Sequence, residues 1–379
     1  MKKTLIALSL FTAFNVSAFT STTATNNDVT SAIKPSVFPA IDSSNWKVNP
    51  EDYGMTVEEY FLAESHAFMN EFAINRELGV NNFFHFTKLA KAEDKWVVSP
   101  SLDHLYSIAI VDASKGFSIT VPENIDKRFV SLHIQDENHT FVDYEVGAGT
   151  FTYDAKDVDT KYVVVGIRMA SDGTEQNLDY IANTLQPQYQ INAGSADSNI
   201  PSVDLAKMMK VRTALITEYD KLPNTYETVT YDINDVSNWE KTTYSIAGAW
   251  GLSPEDTAMY PAYALKGVEG GSCYQANYPA PPTRLEDGGY FSITVYGEDK
   301  YLMSDEYNIV SSNHASTKYN SDGSFDVIFG SMECKTVADI TGSNFAYTPD
   351  DNWGFLMRVY LPKVDEMKQY KMPEITPIK

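Results

Sequence analysis

Apolar positions alternate with polar ones in two long stretches of the chain and recur at helical spacing in two others. Thr56-Val57-Glu58-Glu59 has the form of a capping box, in which Thr56 accepts from the third amide and Glu59 reaches back. It predicts a helix through Tyr60, Phe61, Ala67 and Phe68, with Gly79 as a natural stop. Beyond Val97 the period changes to two. Phe117, Ile119 and Val121 share one strand face, and further strands are expected over 129–134, 141–146 and 162–165. Leu205, Met208, Val211, Leu215 and Tyr219 then form an apolar helical stripe, and Ser253-Pro254-Glu255-Asp256 has the Ser cap, first-turn Pro and acids of a second helix start. Strand texture returns at 290–296, 325–329 and 353–361. In the last of these, Trp353, Phe355, Met357, Val359 and Leu361 alternate without a break. The pentapeptide Phe-Ser-Ile-Thr-Val occurs twice, from Phe117 and from Phe291.

This pattern predicts an α+β, mainly β chain: two antiparallel β-rich domains, sandwich- or jelly-roll-like, joined by a helical segment. One-sided alternation argues against a buried parallel sheet. The expected divisions are a leader over 1–18, a flexible Ser/Thr-rich stretch over 19–45, and an N-terminal β-rich domain with its leading helix over 46–190. A helical connector over 191–265 and a C-terminal β-rich domain over 266–379 complete the chain. A chain of 379 residues fits about two domains of ordinary size.

The first eighteen residues bear on compartment. Met1-Lys2-Lys3 is basic, 4–14 is an apolar run and Val16-Ser17-Ala18 ends in small residues, the succession of a secretory signal peptide cut after Ala18. The run is too short for a permanent span, and no later stretch is long and apolar enough. A soluble periplasmic or secreted protein is expected. Its 29 basic against 51 acidic residues leave a net charge of −22, which repels phosphate backbones and anionic lipid. Nucleic acid is therefore not an expected partner; a small molecule or a protein is, and the oligomeric state stays open. The two cysteines, Cys273 and Cys334, both lie in the C-terminal third. Export makes a disulfide between them feasible, and closing that loop contributes about 4 kcal/mol in the chain-entropy model.

The common catalytic signatures do not occur: there is no nucleophile elbow, no zinc-protease helix, no P-loop and no dinucleotide turn, and no cofactor is expected. The densest polar cluster is 99–107, where Asp103, His104 and Tyr106 stand at the start of a strand. Adjacent strand residues point to opposite faces, so Asp103 and His104 face one ligand only if they lie in a turn. Arg128 and Arg168 follow on neighbouring strands. An arginine in a β core calls for a buried carboxylate, with Asp103 or Asp136 the candidates, and an Asp103–Arg128 pair that serves the fold is expected. His133 and His139 flank the turn 134–138 and are weak candidates to hold a metal with Asp136.

At these residues the sequence resembles a tandem pair of bacterial domains of unknown function numbered twelve-fifty-four and twelve-fourteen. The first domain's hallmark is similar to Pro100, Asp103, Leu105, Tyr106 and Ser107, followed by Arg128-Phe129, Asp136 and Arg168. The second resembles Gly289 to Tyr296, Asp322-Gly323-Ser324 and Arg358-Val359-Tyr360-Leu361-Pro362. Ser101 and His104 replace the Asn and Thr usual in the motif. The resemblance implies exported proteins with two β-rich domains joined by helices, and it supplies no reaction. The leading expectation is a ligand or partner held in a cleft between the domains, with Asp136, Arg168 and Arg358 as candidate binding residues. The alternatives are a hydrolase or lyase using Asp103, His104, Tyr106 and Arg128, and a purely structural protein. Convergence of Asp103, Tyr106 and Arg128 on an open pocket or on the core separates them.

Overall fold

The computed structural model describes residues 38–94, 99–123, 128–264 and 267–378. The leader read from residues 1–18 lies outside them. Packing against the first helix begins ahead of Trp46, since the Phe38 ring meets Phe61 edge-on at 5.5 Å.

The first β-rich unit is built on a five-stranded antiparallel sheet in the order Phe84–His85, His104–Asp112, Tyr162–Ala170, Val130–Asp136, Phe141–Val146. A three-stranded sheet, Gly149–Tyr153, Phe117–Val121, Gln190–Ala193, covers one face. Leu105, Ala109, Val111, Leu132, Ile134, Val165 and Ile167 fill the space between the two sheets. The opposite face carries Ile108, Ile110, Tyr162 and Val164, and three helices close over it: Val57–Asn70, Leu205–Tyr219 and Trp239–Ala249. The central strands are thus buried on both faces, although their sequence reads as one-sided.

Thr56 and Glu59 make the expected capping box. The stripe from Leu205 to Tyr219 packs Met208, Val211 and Leu215 against the first helix, where Arg212 and Glu64 form a buried ion pair. The helix expected at Ser253 does not form. Thr257 and Ala258 both return their amides to Pro254, one turn only, and Ala258–Met259 then joins the second unit's sheet beside Val359 and Tyr360. The Ser253 hydroxyl faces the Arg168 guanidinium instead of capping a helix.

In the second unit, the strands Ala262–Ala264, Gly354–Tyr360, Tyr290–Tyr296 and Ile309–Ser311 lie side by side. They pack on a four-stranded sheet of Asn344–Tyr347, Phe325–Gly330, Tyr274–Tyr278 and Thr376–Pro377. Phe291, Ile293, Val295, Phe355, Met357 and Val359 face the sandwich core with Trp353. One pair, Phe325–Gly330 with Asn344–Tyr347, is parallel, because the helix Met332–Thr341 carries the chain back between them. Cys273 and Cys334 are joined by a disulfide that ties this helix to the neighbouring strand. No helix among the described residues is long and apolar enough to cross a membrane.

Candidate functional site

The two units meet through the faces of their sheets that carry hydroxyls and arginines. In the first sheet, Tyr106, Arg168 and Ser131 stand abreast on three neighbouring strands. In the second, Arg358, Ser292 and Ser311 do the same. The segment from Ser99 to His104 runs between these rows. Phe129 and Ala170 close the seam with Tyr290, Tyr360 and Leu361, and Leu102 packs on Tyr296 and Leu302.

Asp103 is 1% exposed and accepts from four hydroxyls. Ser292 lies at 2.7 Å, Tyr360 at 3.2 Å, and Ser101 and Ser311 at 3.3 Å each. Three of the four come from the other unit, so this carboxylate joins the two sheets. Arg358 is fully buried and donates to Tyr296 OH at 2.9 Å, Thr294 Oγ1 at 3.3 Å and the Ser99 carbonyl at 2.7 Å. Ser99 presents that carbonyl from a left-handed backbone (φ +48°), a strain that surrounding contacts must hold. Burial opposes the Arg358 charge, yet the phenols of Tyr296 and Tyr360 and the Asp103 carboxylate hold it above the usual arginine range.

Arg168 donates to Ser253 Oγ at 2.6 Å, Tyr260 OH at 3.4 Å and the Gly251 carbonyl at 3.3 Å. Gly251 turns the chain sharply after the Trp239–Ala249 helix with φ +72°, a conformation that costs a glycine little. Its carbonyl serves Arg168, and its N–H donates to His139 Nε2 at 3.2 Å. Burial opposes the Arg168 charge, and the oxygens of Tyr260, Tyr144 and Tyr106 hold it up.

The positive field of the two arginines is felt by the histidines. Burial first, and then Arg168 and Arg358, hold His104 well below the usual imidazole range, so it is neutral beside Tyr290 OH at 2.6 Å. Burial and then Arg168 depress His133, which packs among Phe141 and Tyr144. Tyr106 is pushed up to about 12, chiefly by burial.

Several sequence expectations are relocated by these contacts. Asp103 and Arg128 do not pair. Arg128 donates to the Ala170 carbonyl at 3.2 Å and Asn177 Oδ1 at 2.9 Å and lies over the Tyr180 ring, while Asp103 turns toward the second unit. Asp136 is occupied with its own turn, accepting from the amides of Asn138 and Thr140 and from the Asn138 side chain. His139 meets Phe61, Trp250 and the Gly251 amide on the helical side, away from that carboxylate. No cluster of three metal-ligating side chains occurs among the described residues. Asp103 and His104 do point apart, toward the Ser292–Ser311 row and the Tyr290 hydroxyl respectively.

Beside this seam lies a cleft of about 380 Å³ whose walls come from 225–231, from 252–260 and from Val364. Its floor includes Ser253 and Tyr260, the two hydroxyls that Arg168 touches from beneath. Glu227, Glu255 and Asp256 stand at its edge. Lys368 bridges Glu255 at 2.9 Å and Glu227 at 3.7 Å. Sequence reasoning named neither Ser253 as a binding group nor Tyr260. The one local signal was a Ser–Pro step followed by two acids, and it reads equally well as a helix cap.

Residues 80–192 match the family described as "Protein of unknown function (DUF1254)", and residues 263–364 match "Protein of unknown function (DUF1214)". The chain belongs to this tandem family. The seam residues divide between the matched regions: Asp103, His104, Tyr106 and Arg168 in the first, Tyr290, Ser292, Arg358 and Tyr360 in the second. The cleft floor, Ser253 and Tyr260, falls between them. Among solved structures, the VPA0106 protein from Vibrio parahaemolyticus superposes with a TM-score of 0.67 at 17% identity, over 87% of this chain and 99% of that one. That likeness shows a shared fold. An uncharacterised protein from Burkholderia cenocepacia aligns with a TM-score of 0.47 at 11% identity, over 84% of this chain and 87% of that one. No match was found among the curated proteins.

Proposed function

We propose that this tandem-domain protein is exported and binds a small molecule in the cleft beside the joint of its two units. The observation that carries the reading is the cleft floor. Ser253 and Tyr260 line an opening of about 380 Å³ while both touch a guanidinium planted in the first sheet. An opening of that size, walled by tyrosines and aliphatic groups with a few fixed polar atoms, suits a small organic ligand. Export is supported by the basic, apolar and small-residue succession of residues 1–18 and by the disulfide. The polar seam supports a holding role for Asp103 and His104. Each is 1% exposed and bonded across the joint, so a reactant has no path to them.

The test is mass spectrometry, under native conditions, of the full exported chain after gentle purification, followed by a thermal-shift screen of small metabolites. A copurifying compound or a stabilising hit, lost in Tyr260→Ala and Tyr231→Ala, is expected. Hits that persist in both variants, or no hit at all, would refute cleft binding. N-terminal sequencing of exported material should begin at Phe19; an intact Met1 would end the export reading.

A further inference from the structure

The cleft is electrically polarised along its depth. Its floor rests on Arg168, whose Nη1 donates to Ser253 Oγ at 2.6 Å. Tyr260 gives its own proton to Ser253 Oγ at 3.0 Å, and Tyr144 gives its proton to Ser131. Ser253 Oγ thus takes two protons from its neighbours, and its remaining contact is a long 3.4 Å approach to Tyr144 OH. Its own hydrogen has Tyr144 OH as acceptor, so the donor that the floor can turn toward a ligand is the half-buried Tyr260 hydroxyl, with the guanidinium behind it. This floor attracts an anionic oxygen. Neutral His104 and His133 add no competing charge; burial is the main cause of their depression, and Arg168 adds to it.

The rim has the opposite sign. Glu227, Glu255 and Asp256 place three carboxylates there; Lys368 bridges two of them, while Lys241 and Arg284 are occupied by the carbonyls of Tyr226 and Asp256. Glu227 and Asp256 are exposed, so they act on a ligand's outer end and leave the floor to Arg168. Between the two ends the walls are Leu252, Met259, Tyr226 and Tyr231, apolar or aromatic surface without charge. A simple anion is repelled at the rim, and a simple cation finds no partner at the floor.

We infer that the cleft selects a small zwitterion with an apolar or aromatic body, bound with its carboxylate on Tyr260 above Ser253 and Arg168 and its ammonium among Glu227, Glu255 and Asp256. Amino acids and short peptides have this chemistry. The inference rests on the cleft-binding reading and adds the ligand's charge pattern to it.

Calorimetric titration of the full disulfide-bonded chain with four probes tests it. The probes are glycyl-phenylalanine, its N-acetyl derivative without the cation, its C-terminal amide without the anion, and sucrose as a neutral polyol. The free dipeptide is expected to bind, and each capped form to bind at least tenfold more weakly. Glu227→Gln with Asp256→Asn should weaken the free dipeptide but spare the N-acetyl form. Tyr260→Phe should weaken the free dipeptide but spare the amide. Should Tyr260→Phe fail to fold, Ser253→Val gives the same comparison at the floor. Equal binding of the amide and the free dipeptide overturns the anionic end, and equal binding of the acetylated form overturns the cationic end. Sucrose binding alone overturns the zwitterion but leaves the cleft in use. No binding by any probe, with an empty thermal-shift screen, removes both readings.

Discussion

His139 shows how one residue's surroundings reach a bulk property. Its Nε2 accepts the Gly251 amide, and burial pushes its imidazole down to about 3. A histidine depressed in the folded state contributes stability above its unfolded value near 6.5, and that contribution is lost as pH falls toward 3. His104 and His133 are depressed in the same direction. Asp136, which burial pushes up to about 7, has the opposite sign: its contribution is full below the unfolded carboxyl value and fades as pH rises through 7. Urea unfolding between pH 7 and 5 should lose stability on acidification. His139→Asn, which tolerates the left-handed backbone at this position (φ +64°), should flatten that slope by up to about 1.4 kcal/mol per pH unit. An unchanged slope would show that His139 is not the titrating group. At Asp103 the expected effect is one of structure. Asp103→Ala strands the hydroxyls of Ser292, Ser311 and Tyr360 and leaves Arg358 without its nearby carboxylate, at about 3–5 kcal/mol. Arg128→Ala should cost about 1 kcal/mol, and the double mutant should be additive within about 0.5 kcal/mol. Strong coupling in that cycle would restore the pairing that the sequence suggested.

Among the elements, the repeated pentapeptide makes a controlled comparison. From Phe117 and from Phe291 the same five residues form the same kind of strand, with Phe, Ile and Val on a sandwich core in both. The alternate positions differ. Ser118 and Thr120 are half-buried, whereas Ser292 and Thr294 are fully buried against Asp103 and Arg358. Ser292→Ala should therefore cost about 1–3 kcal/mol by leaving a buried charged acceptor short of a donor. Ser118→Ala should stay within about 0.5 kcal/mol. Chemical denaturation of the two variants checks this, and equal losses would contradict the seam. The turn at Ser253 makes a related point. Cap, proline and acids all favour a helix locally, yet the hydroxyl is bonded to Arg168 and the following residues extend a sheet.

Across the whole molecule the two units should unfold as one body, because their joint is both polar and aromatic. It holds Arg358, Asp103, His104, Tyr290, Tyr296 and Tyr360, all buried. Parting the units would expose the aromatic rings and unpair the polar groups, so each would lose its partner's hydrogen bonds at once. Calorimetry of the oxidised chain should show one cooperative unfolding transition. Two well-separated transitions would show that the seam does not couple the units.

The sequence by itself determined the main strands, the two helices Val57–Asn70 and Leu205–Tyr219, the fold class and the family. Two-residue alternation marks strands whatever they pack on, the Thr56 capping box is a local hydrogen-bond pattern, and the tandem motifs lie in both matched regions. It also indicated Asp103 and His104 through the polar cluster at 99–107, Arg168 through its charge in a strand, and Arg358 through the family motif. Only the tertiary structure decided what they meet. Partner choice depends on which sheet face is covered and by what, and the facing residues lie up to 259 positions apart, as Arg358 and Ser99 do. No local period records that distance. The cleft escaped for the same reason: its floor joins Arg168 of one strand to Ser253 and Tyr260 of a later turn, and only packing the helical layer on the sheet brings them together.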